Sequence, residues 1–138
     1  SDDTRIVTAT SEGSVKVWEA ATGRELLSLN GTSAVFCPDG MQIAVLDPEG
    51  VKFRDVDSGK ETVRFQVNVM PVFSPDGKRI AAPNFGNTIS LWDRVTGQET
   101  ITLNVHEIRC LEFSPDGTRI VSGSMDGVVR LWSAPRGK

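Results

Sequence analysis

Short runs of Val, Ile, Leu and Thr recur along the whole chain, each bounded by Gly, Pro, Asp or Asn. That is the pattern of β-strands separated by tight turns. No stretch combines a 3.6-residue period with adequate length, so no substantial helix is expected. The runs "VKVW" (15–18), "ISLW" (89–92) and "VRLW" (129–132) place large apolar residues side by side at their ends. Neighbours in a strand point to opposite faces, so both faces of such a sheet must be covered. A two-sheet sandwich covers one face of each sheet. Four-stranded sheets stacked around an axis cover both.

The strands belong to a repeat. "FSPDG" stands at 73–77 and again at 113–117, and "FCPDG" at 36–40. Aligned on these, Trp18, Arg54, Trp92 and Trp132 share one slot, at spacings of 36, 38 and 40, and Gly23, Gly59, Gly97 and Gly137 follow it five residues later. The start of the chain fits the same frame, with Asp2-Asp3 where Asp116-Gly117 stands in the last copy. The copies run approximately over 1–35, 36–72, 73–112 and 113–138, as one segment over 1–138 without a linker. Pro-Asp-Gly is a turn signal, because Pro presets φ and Gly accepts a positive φ. Thr22-Gly23, Ser58-Gly59 and Thr96-Gly97 mark a second turn. Ser11-Glu12-Gly13, Asp47–Gly50 and Met125-Asp126-Gly127 mark a third. Three turns in about forty residues imply four strands per copy.

Phe-Ser-Pro-Asp-Gly, a strand, Ser-x-Asp-Gly, then Leu91-Trp92-Asp93 or Leu131-Trp132-Ser133, with Val17-Trp18-Glu19 a near match, resembles the WD-repeat β-propeller family over essentially all of the chain. The resemblance implies an all-β β-propeller of four-stranded antiparallel blades. It also implies a rigid, non-enzymatic platform for other proteins. The family's Gly-His pair before the innermost strand is reduced here to His106, and short connections predict short innermost strands. The family often ties a blade with a His, Ser/Thr, Asp and Trp hydrogen-bond network. Only the last copy offers all four, in His106, Ser122 (or Ser124), Asp126 and Trp132. Arg54 fills the Trp slot of the second copy, where its stem can cover apolar surface while its head finds a carboxylate or water.

The first copy lacks its innermost strand and the last its outermost, giving about 14 strands rather than 16, or about 3.5–4 blades. The expectation is an incomplete ring, or one completed by other chains. The chain is read as part of a larger propeller, as one of two copies that together make eight blades, or as a small four-bladed ring. Up-and-down connectivity puts the Pro-Asp-Gly and Thr-Gly turns at one end of the blades and the varied loops at the other. Variation on one face of a repeat protein marks the face that meets partners. The candidates there are Phe85, Met70, Met125, Glu12 and Glu49, with Arg54 as a possible anchor because Arg is enriched at binding hot spots.

Composition narrows the classes. The net charge is −3 with 24% charged residues, which gives no basic face for nucleic acid. The apolar runs are too short to span a bilayer. The acidic, polar start is not read as a signal peptide. A cytoplasmic location is expected, so the sequon at Asn30 carries no weight. Cys37 and Cys110 are read as free, buried thiols. A single His excludes a multi-His metal site within one chain, and no phosphate loop or nucleophile elbow is present. No cofactor, metal or catalytic residue is assigned, and the partners expected are other proteins, including further copies or the rest of a propeller. The alternatives are a sugar- or small-ligand-binding propeller, for which the chain has no Tyr and only three Trp, and a propeller hydrolase or lyase with a channel site.

Overall fold

The computed structural model describes residues 4–84 and 87–135. Among these, fourteen strands form four antiparallel sheets, and no helix occurs. The chain divides into two compact units, Ser1–Met70 and Pro71–Lys138. In the first unit, β1 (Arg5–Ala9), β2 (Ser14–Glu19) and β3 (Glu25–Asn30) make a three-stranded sheet. β4 (Ser33–Phe36), β5 (Gln42–Asp47), β6 (Gly50–Asp55) and β7 (Glu61–Phe65) make a four-stranded one. In the second unit, β8 (Val72–Phe73), β9 (Arg79–Asn84), β10 (Thr88–Asp93) and β11 (Glu99–Asn104) form a four-stranded sheet. β12 (Ile108–Phe113), β13 (Arg119–Ser124) and β14 (Val129–Ser133) form a three-stranded one. Strands adjacent in sequence are adjacent in each sheet, as an up-and-down blade requires. Two innermost strands are short, as expected, at 4 residues for β4 and 2 for β8, but β12 has 6.

One register serves all four sheets. The slot residues Trp18, Arg54, Trp92 and Trp132 face Ile6, Ile43, Ile80 and Ile120 on the preceding strand. A β-bulge just before Trp18, Arg54 and Trp92 lets each meet a glutamate, Glu25, Glu61 or Glu99, on the following strand. Bulges turn a strand and re-aim its side chains. Here the bulge recurs with the copy.

The "FSPDG" segment is a turn with its own wiring. The Ser74 hydroxyl donates to Asp76 Oδ1 at 2.6 Å and accepts from the Arg79 amide at 3.0 Å, and Asp76 Oδ1 also takes the Lys78 amide at 3.1 Å. Ser114 and Asp116 repeat these bonds at 2.7, 3.0 and 2.9 Å, the last from the Thr118 amide. Gly40, Gly77 and Gly117 close the three turns with φ of 69°, 67° and 69°, a backbone that glycine adopts without strain. The acid after the Trp slot caps the next turn. Asp93 Oδ1 takes the amides of Val95 and Thr96, and Asp55 Oδ1 those of Asp57 and Ser58.

Each unit packs sheet on sheet. In the first, Val15 and Val17 of β2 meet Ile43 and Val45 of β5, with Val56. In the second, Ala81, Ile89 and Leu91 meet Phe113, Ile120 and Ala134. Consistent with coverage of both faces, four consecutive residues are buried in each of β6, β9 and β10. Alternation returns in β14, where Val129 and Leu131 stay exposed.

Gly50 gives one prediction. Its φ is 127°, and a Cβ there would lie 2.4 Å from the Phe65 carbonyl oxygen. Backbone cannot swing aside as a side chain can. Gly50→Ala is therefore expected to cost at least about 2 kcal/mol in urea unfolding, given both strain and collision. A change below about 0.5 kcal/mol would show that the β5–β6 turn is not held as described.

Candidate functional site

Each sheet has two ends. One carries the wired Pro-Asp-Gly and Asp-capped turns. The other carries the turns between its second-position and third-position strands (β1–β2, β5–β6, β9–β10, β13–β14) and the connections to the next sheet. In the first unit this second end holds a cavity of about 490 Å³, lined by Ser28, Leu29 and Asn30 of β3, the turn Asp47–Glu49, and Lys52 and Arg54 of β6. Period-2 alternation on β6 places Lys52 and Arg54 on the same side, while Val51 and Phe53 point to the other and are fully buried.

The four charged residues of the lining, Asp47, Glu49, Lys52 and Arg54, belong to a chain of ion pairs. Lys52 Nζ lies 2.6 Å from Asp47 Oδ2 and 2.8 Å from Glu49 Oε2. Glu49 Oε2 also takes Arg64 Nη1 at 3.0 Å. Arg64 Nε reaches Glu61 Oε1 at 3.0 Å, and Arg54 Nη2 is 3.7 Å from Glu61 Oε2. Three acids and three bases alternate. Lys52 is buried although charged, which a cation tolerates only when paired. Burial pushes the Asp47 carboxyl up. The hydrogen bond from Lys52, the Glu49 amide and the positive charges of Lys52 and Arg64 outweigh it, and the group is held below the usual range. The Lys52 hydrogen bond likewise lowers Glu49, and the Asp47 hydrogen bond raises Lys52. Arg54 Nη1 donates to the Gly59 carbonyl at 3.0 Å. Its Nε is buried and unpaired among the described residues.

The sequence candidates fall as follows. Glu49 sits in the cavity rim; Arg54 is a strand residue whose head turns back toward the Gly59 turn. Glu12 is exposed in the β1–β2 turn, and Met70 is half-buried at the end of the first unit. Met125 belongs to the second unit and is exposed in the β13–β14 turn. Phe85 lies outside the described residues. Of the residues grouped as a network, Trp132 Nε1 donates to Ser122 Oγ at 2.9 Å. Asp126 takes the Val128 amide at 2.9 Å and pairs with Arg130 at 3.0 Å. His106 is exposed and makes no hydrogen bond to Ser122 or Trp132 among the described residues; its charge adds only a minor pull on Asp126. Cys37 is buried, but Cys110 is exposed on β12, against the expectation of two buried thiols.

Three contacts were not foreseen. Trp18 Nε1 donates to Thr8 Oγ1 at 2.9 Å, the first copy's version of the Trp132–Ser122 bond. The signal was present in the sequence as a hydroxyl ten residues before the Trp in both copies. The Lys52 chain was hidden because its members are ordinary surface residue types. The third contact is Arg79, which is buried and donates through Nη1 to the Ala134 and Pro135 carbonyls at 2.8 and 3.1 Å. Its Nη2 donates to the Gly117 carbonyl, and its guanidinium lies 5.5 Å from the Phe113 ring centre.

The turn acids predict a pH response. The Ser114 hydroxyl, then the amide and hydroxyl of Thr118, hold Asp116 at about 2 against an ordinary 3.8. A depressed carboxyl contributes stability above its unfolded value and loses it as pH falls through the folded one. The acid limb between about pH 4 and pH 2 should therefore flatten in Asp116→Asn, read as the unfolding midpoint against pH. An unchanged limb would remove Asp116 from acid stability.

No helix among the described residues is long and apolar enough to cross a membrane. No three His, Cys, Asp or Glu side chains among them gather as a metal set. No curated protein is similar enough in sequence to match. The crystal structure of the computationally designed Ika4 protein is similar in fold, with a TM-score of 0.77 at 23% identity, covering 96% of this chain and 87% of that one. Residues 97–133 match the family described as WD domain, G-beta repeat. They begin at the Gly97 turn, run through β11 to β13 and end with β14. The same strand register and slot recur in all four sheets, so the segment that resembles the WD repeat shares its strand pattern with the rest of the chain.

Proposed function

We propose that residues 1–138 act as one WD-repeat propeller segment, a non-enzymatic cytoplasmic platform for other proteins. The observation that carries this is the contrast between the two ends. The Ser–Asp wiring is the same in the turns after β8 and β12, and the Asp caps are the same after β6 and β10. At the other end the turns differ in length and chemistry, and one pair of them flanks a charged cavity. In repeat proteins the varied end is the one that meets partners. Charges locked to one another present a fixed pattern, which gives a protein partner specificity more than raw affinity. A small-ligand site of this size would be lined mainly by apolar and aromatic groups, whereas four of the eight lining residues here are charged.

The test is binding of a purified partner, first captured by crosslinking in the host cell, to two exposed-site variants of the first unit. Glu49→Arg reverses charge at the cavity rim. Met41→Glu alters the wired end. The expected outcome is at least a tenfold loss for Glu49→Arg and none for Met41→Glu. The reverse order would overturn the assignment of the binding end.

A further inference from the structure

The charges around the cavity of the first unit are unequally exposed. Lys52 and Asp47 pair with each other, and their side chains are only 10% and 12% exposed. Arg54 is 24% exposed, and its head is turned to the Gly59 carbonyl with Nε buried. Glu49 is 64% exposed. Both cations that meet Glu49, through Lys52 Nζ and Arg64 Nη1, meet the same oxygen, Oε2. Oε1 accepts no hydrogen bond among the described residues. Each carboxylate oxygen is an acceptor in its own right, so Oε1 is unused at the cavity rim.

The rest of the lining has the same character. Ser28 and Asn30 are exposed, two residues apart on β3 and therefore on one side of it. Neither side chain makes a hydrogen bond among the described residues. Both carry oxygen acceptors. Leu29 and Pro48 give the lining its apolar part. The cations are thus already engaged, and the open charge is negative. Charge along the chain agrees. Residues 1–70 hold eleven acids against seven bases, while 71–138 hold seven against eight. The unit with the cavity is the acidic one.

We propose that this cavity takes an arginine side chain of a protein partner. The guanidinium donates to Glu49 Oε1 and to the oxygens of Ser28 and Asn30, and its stem lies against Leu29 and Pro48. Arginine suits the site better than lysine, because its five donors are fixed in a plane and serve several acceptors together. An acidic guest meets an exposed carboxylate first, and like charges brought together at an interface are rejected. Arg64 is the guest's competitor. It is 42% exposed, shares Glu49 with Lys52, and keeps Glu61 if it leaves. The inference rests on the platform reading and deepens it, since it names what the partner brings to the varied end.

The test uses three capped tripeptides, acetyl-Gly-Arg-Gly-amide and its Lys and Glu counterparts. Each is titrated into the isotope-labelled chain at low salt, where exposed charges are least screened. Backbone amide shifts in solution NMR are the readout. The arginine peptide is expected to shift 28–30 and 47–50 saturably, with the lysine peptide weaker and the glutamate peptide silent there. Glu49→Gln is expected to weaken the arginine peptide about tenfold, since a charge-assisted bond becomes a neutral one. Asp47 still holds Lys52 in that variant, so the fold is kept. Arg64→Ala is expected to tighten the arginine peptide about threefold, because an exposed competing cation is gone. Asp57→Asn removes one negative charge in the β6–β7 turn, at the wired end, and is expected to leave the titration unchanged. Three results would overturn the proposal: binding of the glutamate peptide at 28–30 and 47–50, no shift there with the arginine peptide, or equal weakening by Glu49→Gln and Asp57→Asn. Tighter binding of the lysine peptide would overturn the choice of arginine. The platform reading fails separately, when the captured partner binds Glu49→Arg as well as it binds wild type, whatever the peptides do.

Discussion

Arg79→Ala is expected to destabilise the second unit by about 3–5 kcal/mol. The guanidinium is buried and donates to the carbonyls of Ala134, Pro135 and Gly117. Truncation leaves these acceptors without that donor, at roughly 1 kcal/mol or more for each one that stays buried. The contact with the Phe113 ring is lost as well, worth about 1 kcal/mol in a desolvated site. Arg79→Lys should recover less than half, because a single ammonium cannot span carbonyls that a planar fork reaches together. Urea unfolding at fixed pH is the readout. A loss below about 1 kcal/mol, or full rescue by lysine, would mean that the carbonyl contacts do not hold the third sheet to the fourth.

Trp132→Ala is expected to cost about 3–5 kcal/mol, the range for large aromatic truncations in a core. Trp132 packs against the cluster of Ala81, Ile89, Leu91 and Phe113. Its Nε1–H meets the hydroxyl of Ser122, which is fully buried. Trp132→Phe separates the two contributions. It keeps most of the ring but leaves the Ser122 hydroxyl without this donor, so about 1–2 kcal/mol is expected. Adding Ser122→Ala to Trp132→Phe should return part of that, since removing both partners is gentler than removing one. If Trp132→Ala costs less than about 1 kcal/mol, the slot assignment fails.

These two residues also show what sequence could and could not reveal. Trp132 was legible because the slot recurs at fixed distance from a glycine and the indole has few other places to go. The "FSPDG" turn was legible for the same reason, since Pro, Asp and Gly each have a backbone role there. Arg79 was not. It sits in "GKRI" as Arg119 sits in "GTRI", yet one is buried and the other exposed. The difference lies in the neighbouring sheet and not in local sequence. Lys52, Asp47 and Arg64 were hidden likewise, because a buried ion chain uses the residue types of a solvated surface. His106 drew attention as the chain's one histidine, but it stays in solvent beside Asp126. The exposed valine and leucine of β14 read in sequence like their buried counterparts in β2 and β10. Only the structure separates a covered face from an open one.

The most direct test of the scaffold account is amide hydrogen exchange with and without the captured partner. The account predicts slowed exchange at 28–30 and 47–50, around the charged cavity, and unchanged exchange at the wired turn over 37–41. Slowing at 37–41 with the cavity segments unaffected would contradict it.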